Sequence, residues 1–399
     1  MEALIVIIAI VLGIIFGIIA GLTPGLHTNL IASILLLLTS LALKYFSPII
    51  LIIFIVSLSI TNIFLEMIPS IYLGAPDEET ALSVLPGHEL LLKGKGHQAV
   101  FLSALGGLSG IIILLIVSPI FFIFLPSTYP FFEKMMLWLL VWICIFIIKD
   151  NKQKILAAIF FIFSGIFGFA SLNLNISQPL LPLLTGLFGT SGIIFSLNGK
   201  TNLPNQEAEL EKLDKKSFFR PILASFLVSP ICSFLPGLGG SQAAIIGSKI
   251  AGELEREQFL FLNGSINIAL MGLSFVTLFL INKSRTGSAA IISQIGQITF
   301  RELLIILALI LVISMISFYL TLIISKNIAN KIGNWNYRKI SISILIFLVA
   351  LTGIISGVLG LLVLLTGTCL GLSCQYYGLR KGILMGCLLI PTIIIYWKF

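Results

Sequence analysis

An all-α integral membrane protein of about ten transmembrane helices is the fold class this sequence predicts, and three observations predict it. Hydrophobic residues make up 58% of the 399 positions against 10% charged, and 30 are Phe, far from the balance of a water-soluble domain. Asp, Glu, Lys and Arg are missing from Ala3–Leu43, Tyr45–Leu65, Gln98–Phe132, Ile155–Gly199, Pro221–Ser248, Gln258–Asn282, Leu303–Ser325, Ile340–Leu379 and Gly382–Trp397. Spanning takes roughly 20 residues, so the longest of these stretches must fold back. Runs such as Leu4–Leu12 and Leu303–Ile313 are apolar on every face, whereas a β-barrel needs short alternating strands between turns.

The first apolar stretch follows only Met1 and Glu2, without a basic leader or a small-residue cleavage pattern, and reads as a first membrane helix. Basic residues gather in Lys149–Lys154, Lys200–Arg220, Lys326–Lys339 and Arg380–Lys381, which the positive-inside rule assigns to the cytoplasm, leaving the N-terminus outside. The formal charge of +8 suits loops facing anionic headgroups, and no basic surface of the kind nucleic acid requires is apparent. Cys144, Cys232, Cys369, Cys374 and Cys387 lie in apolar segments without CxxC spacing and read as packing residues. His27, His88 and His97 are scattered, so neither a metal centre nor another cofactor is expected.

Asn198–Arg220 mixes Pro, Asn and both signs of charge as a solvated cytoplasmic linker does, and divides the chain into an N-terminal half, 1–197, and a C-terminal half, 221–399. Each half opens with a helix breaker inside an apolar stretch: Pro24-Gly25-Leu26 and Pro236-Gly237-Leu238. A second break follows, Asp77-Glu78-Glu79-Thr80 in the first half and Lys283-Ser284-Arg285-Thr286 in the second. Pro24 to Thr80 is 56 residues and Pro236 to Ser288 is 52. The halves therefore read as pseudo-symmetric repeats, with an inverted relation expected by analogy with transporters built this way.

Within hydrocarbon a broken helix survives only where protein or a polar cavity satisfies the freed backbone, so paired breaks point to a binding site. The residues after each break, His27-Thr28-Asn29 and Gly239-Gly240-Ser241, open a new helix whose first N–H groups lack partners. Such ends attract anions, and Gly239 and Gly240 let a ligand approach the backbone. Pro24, Gly25, His27, Thr28, Asn29, Pro236, Gly237, Gly239, Gly240, Ser241 and Arg285 form the candidate substrate site.

Asp77 falls opposite Arg285 under the repeat alignment, and the two are candidates for a gate, Arg285 offering its fork to a carboxylate. The competing reading makes both ordinary interfacial charges. Glu66 stands among apolar neighbours before Pro69, where its helix is expected to end, and an ionisable group at that depth is a candidate for ion coupling, helped by Asn62 and Thr61. Asn263 and Asn267 share a helix face and either line a cavity or hold helices together. Gly353, Gly357, Gly360, Gly367 and Gly371 read as packing positions, and His88 and His97 as interfacial residues.

The run GIIAGLTPGL, then SIYLGAPDEETALSVLPGHELLLKGKGHQAVFLSALGG, then SFLPGLGGSQAA resembles the large membrane permease subunit of tripartite tricarboxylate transporters, across both halves. The resemblance implies carriage of a small carboxylate, usually with a small membrane subunit and an extracytoplasmic binding protein, and marks Pro24, Gly25, Pro236, Gly237, Gly239 and Gly240 as site-forming. This chain is shorter than the usual permease and carries Asn263–Asn267 where the family tends to have an Asn-Asn-Ala cluster. The expected function is an ion-coupled permease in the cell membrane moving a small organic anion, driven by a sodium ion or a proton. A polyprenyl-phosphate translocase is the alternative, since the same anion trap would hold a phosphate. An enzyme is not expected, because HExxH and GxSxG are absent.

Overall fold

The computed structural model describes residues 2–23, 46–74, 84–149, 151–176, 178–197, 204–211, 214–235, 239–332 and 337–397. Among them the only regular secondary structure is helical, and eight helices are long and apolar enough to cross a bilayer. Leu180–Phe195 and Lys381–Trp397 are shorter apolar pieces. The protein is an all-α membrane protein. With the two shorter apolar pieces, the described residues agree with a helical protein of many crossings. Helix α5 (Gly96–Lys149) runs for 54 residues through Pro119, Pro126 and Pro130. Straight, it would measure about 81 Å at 1.5 Å per residue, more than two hydrocarbon thicknesses. Phe121 and Phe132 both pack on the ring of Phe234, with centroids 6.2 and 5.3 Å away.

The N-terminal half opens with α1 (Glu2–Leu22), followed by α2 (Pro48–Leu65), the short α3 (Met67–Tyr72), α4 (Val84–Leu91) and then α5. Gly13, Gly17 and Gly21 of α1 face Ser57, Thr61 and Leu65 of α2 in the same order, so the two helices run parallel. Four-residue glycine spacing lets the backbones approach closely. A Cβ at Gly13 would stand 2.5 Å from that of Ser57. Helix α2 ends at Leu65, four residues before Pro69. That proline occupies the first turn of α3, where a missing N–H is tolerated.

Helix α6 (Lys154–Asn173), α7 (Leu180–Leu184), a π-helical turn at Thr185–Thr190 and α8 (Ser191–Leu197) complete this half. The described part of the linker is not free in solvent: Gln206 accepts the Gly96 N–H at 2.9 Å and Glu207 donates its N–H to Gly94 at 2.8 Å. Lys95 pairs with Glu211 at 2.6 Å and Arg256 with Glu89, which marks one end of the bundle as rich in ion pairs.

The C-terminal half contains α9 (Phe219–Phe234), α10 (Gly240–Ala251), α11 (Arg256–Ile281), α12 (Gly287–Ile295), α13 (Phe300–Ile332), α14 (Tyr337–Tyr376) and α15 (Gly386–Trp397). Every residue of α11 from Leu260 to Leu278 is buried, which makes it the central helix. It runs parallel to α5, since Gly106 meets Phe261, Gly110 meets Ser265 and Leu114 meets Gly272. Helix α13 runs against α5, Phe101 meeting Phe318 and Phe122 meeting Phe300, and along α2–α3, where Ser317 bonds Thr61 and Tyr72 bonds Ser325. Helices α2 and α11 therefore point in opposite directions, as do α5 and α13. Gly367 and Gly371 pack on Gly186, Leu187 and Ser191. Gly357 differs from the packing expectation: its φ of +66° kinks α14 in open space, a conformation glycine adopts without strain.

Candidate functional site

Leu235 and Gly239, the described residues on either side of the C-terminal Pro-Gly pair, are buried. Helix α9 enters beside the start of α11 and runs parallel to it, with Ser265 donating to Ser225 at 3.0 Å and Thr277 to the Ser233 carbonyl at 3.5 Å. Helix α10 returns antiparallel, its Gly240 against Asn267 and its Gly247 against Leu262 and Ile266. The two form a hairpin that enters and leaves at the same end of α11. Asn267 is eleven residues into that helix, roughly 17 Å from its start at 1.5 Å per residue, so α10 begins alongside the middle of α11.

Gly239, extended at φ −78° and ψ −179°, is the N-cap of α10. The first helical bond runs from Ala243 N–H to the Gly239 carbonyl at 3.0 Å, leaving the N–H groups of Gly240, Ser241 and Gln242 ahead of the ladder. Gly240, Ser241 and Gln242 are all buried, as are Asn263 and Asn267 on the facing side of α11. A Cβ at Gly240 would collide with the Asn267 side-chain oxygen, so a larger residue there would have to displace that amide.

Gln242 is a residue that sequence reasoning missed. It is wholly buried one position past Ser241, its Nε2 donates to the Met385 sulfur at 3.4 Å, and its Oε1 finds no donor among the described residues. Its position three residues into a helix that follows Gly-Gly was the available signal. Ser265 links three helices, accepting from Ser109 at 2.9 Å and donating to Ser225.

Arg285 donates from Nε to the Cys232 carbonyl at 3.3 Å, in the last turn of α9, where a cation meets the negative end of the helix. Thr286 caps α12, accepting the Ala289 N–H at 3.3 Å, and shares a 2.8 Å hydrogen bond with Ser274. Ser288 bonds Ser59 of α2 at 2.6 Å. The second break of the C-terminal half thus reaches the end of α9. Lys283 is paired with Glu133 at 3.4 Å.

In the N-terminal half Asn62 donates to the Glu66 carboxylate at 2.9 Å, with both side chains buried. Gly21, in the last turn of α1, packs on the Asn62 carbonyl and the Glu66 N–H, so this pair adjoins the segment leading to Pro24. Pro24, Gly25, His27, Thr28, Asn29, Asp77, Pro236 and Gly237 lie outside the described residues. His97 is buried and bonds Ser325 at 3.0 Å, and burial, opposed by a backbone hydrogen bond to Ile71, holds the His88 ring below the usual imidazole pKa. Both are more enclosed than an interfacial reading expects. Among the described residues His, Cys, Asp and Glu side chains nowhere gather in threes.

Comparison with known proteins adds the family. The profile of the tripartite tricarboxylate transporter TctA family matches residues 7–386. An uncharacterised protein of Methanocaldococcus jannaschii is 30% identical over 388 residues, covering 93% of each chain. No solved structure matches. That family is one of membrane transporters, not enzymes, and the long apolar helices agree with a multi-pass protein of the cell membrane. With nearly its whole length matched, this chain belongs to the tripartite tricarboxylate transporter TctA family.

Proposed function

We propose that the protein is an ion-coupled permease that carries a small carboxylate, held where α10 begins. One observation carries this reading: a buried helix start, with Gly239 and Gly240 leaving its backbone uncovered by side chains, lies alongside the middle of the central helix, within a chain of a transporter family. Carboxylate oxygens would accept from the N–H groups of Gly240 and Ser241, favoured by the roughly half positive charge of a helix N-terminus. The Gln242 amide, turned through half a rotation, would add a donor. The segments opening at Pro24 and Pro236 would close the cradle, with His27, Thr28 and Asn29 contributing from the other half.

An inverted repeat is supported by the opposed directions of α2 and α11 and of α5 and α13. Coupling by a sodium ion or a proton is supported by the buried Asn62–Glu66 pair beside the end of α1. Arg285 and Asp77 would gate the site. The family's name, tripartite, supports partnership with a small membrane subunit and an extracytoplasmic binding protein.

A thermal-shift screen of the purified protein against di- and tricarboxylates, aromatic acids and polyprenyl phosphate, with and without sodium, tests the reading, because a ligand bound only to the native state raises its stability. A carboxylate should raise the unfolding midpoint and Gln242→Ala should weaken that response at least threefold. A response to polyprenyl phosphate alone would overturn the assignment of cargo. Glu66→Gln should leave carboxylate binding in place while abolishing its dependence on sodium or pH, whichever the wild type shows.

A further inference from the structure

A cavity of about 660 Å³ opens at the end of the bundle where α11 finishes. That volume is within the range of small-ligand sites, roughly 300–1,000 Å³. Three separate pieces of chain wall it: Glu133, Lys134 and Trp138 of α5, Lys283 just past α11, and Tyr396 and Trp397 at the end of α15. The linker docks at the opposite end, where α5 and α11 begin, so the positive-inside orientation turns this cavity outward. Trp138 and Trp397, 70% and 76% accessible, suit such a boundary between membrane and water.

Two ammonium groups and one carboxylate line the cavity. Lys283 Nζ stands 3.4 Å from Glu133 Oε1, and the Tyr129 hydroxyl donates to the same oxygen at 3.4 Å. Lys134 makes neither an ion pair nor a hydrogen bond with any described residue. Both side chains of the Lys283–Glu133 pair are about half exposed, so water screens it and its contribution to stability is small. An incoming carboxylate can therefore take Lys283 at little cost, leaving Glu133 with Tyr129. Two residues beyond Lys283, Arg285 reaches the end of α9, the arm that leads through Pro236 to the start of α10. Positive charge at such a mouth raises the local concentration of anions and speeds their capture.

We infer that this cavity is an outward reception site for a carboxylate bearing at least two negative charges, one group against Lys134 and the other displacing Glu133 from Lys283. The inference rests on the carboxylate cargo and the α10 site proposed above. Leu137 and Ile395 offer the carbon skeleton an apolar wall. A monocarboxylate would answer one ammonium group and leave the other alone. Inorganic phosphate would answer the charges and leave the apolar wall uncovered. The site gathers cargo at the mouth, so it acts on capture and not on the transport step.

The test follows tryptophan fluorescence, to which Trp138 and Trp397 contribute, as the purified full-length protein is titrated with succinate, citrate, inorganic phosphate or phosphatidylglycerol. Succinate or citrate should change it in the wild type and in Gln242→Ala alike, because the latter alters only the α10 site. Lys134→Gln combined with Lys283→Gln should raise the half-saturating concentration at least fivefold. Glu133→Gln, which removes the competing carboxylate, should lower it at least twofold. In reconstituted vesicles the double lysine variant should raise the KM of carboxylate uptake at least fivefold, with kcat within twofold of the wild type. A flat titration of the wild type, an unaltered half-saturation and KM in the double variant, or an equal response to inorganic phosphate or phosphatidylglycerol would overturn the reception site. Should the wild type take up no carboxylate, the transport reading fails, while the titration still decides whether this cavity binds one.

Discussion

Gly240 shows what one missing side chain does here. The sequence marks Gly239-Gly240 as a place where something approaches the backbone closely, and the structure supplies the neighbour: the amide of Asn267, reaching across from the central helix. Gly240→Ala should therefore lower thermal stability, by about 1–3 kcal/mol as overpacking usually does. Adding Asn267→Ala should recover a good part of the loss, because the shortened side chain clears the space. Equal losses in the single and double variants in a thermal melt would show that the collision is not the cause. Glu66 and Asn62 were legible as a pair because polar side chains are rare at that depth. Their partnership with the last turn of α1 was not, since it depends on how two helices dock.

Docking at the level of elements follows small residues. Gly13, Gly17 and Gly21 form a stripe that brings α1 onto α2, and a side chain at Gly17 would stand 2.7 Å from the Leu58 carbonyl and the Thr61 Cβ. Gly17→Leu should separate the two helices and lower the unfolding midpoint more than Leu4→Ala on the lipid-facing side, where Leu4 is 61% exposed. Helix α4 offers a pH test outside the spans. Burial, with Lys381 adding repulsion, depresses the His88 pKa, so an unfolded chain takes up a proton that the folded chain refuses. Stability should consequently fall as pH drops below about 6.5, the unfolded imidazole value, towards the lower folded value. His88→Gln should remove part of that fall in melts recorded between pH 7 and pH 5. Prolines act unequally at this scale: Pro69 follows closely on the boundary between α2 and α3, whereas α5 carries three prolines without ending.

Across the whole molecule, the halves meet at many polar points, among them the 2.6 Å contact of Ser59 with Ser288. If transport moves one half against the other, Ser59→Cys combined with Ser288→Cys should block uptake in reconstituted vesicles under oxidising conditions, and a reductant should restore it. Undiminished uptake by the crosslinked protein would show that this contact stays closed throughout the cycle. Composition alone determined the solvent, the helical class and the membrane location, because a chain with 10% charged residues cannot cover itself for water and only hydrogen-bonded helices suit its uniformly apolar runs. The motifs determined the family and pointed to the breaks, since Pro and Gly act on the backbone of their own neighbourhood. Only the tertiary structure decided that α10 starts against Asn267 in the middle of α11, that Gln242 accompanies it and that Arg285 reaches the end of α9. Those facts come from contacts between segments far apart in the chain, and packing between helices obeys shape at both surfaces rather than the local order of residues.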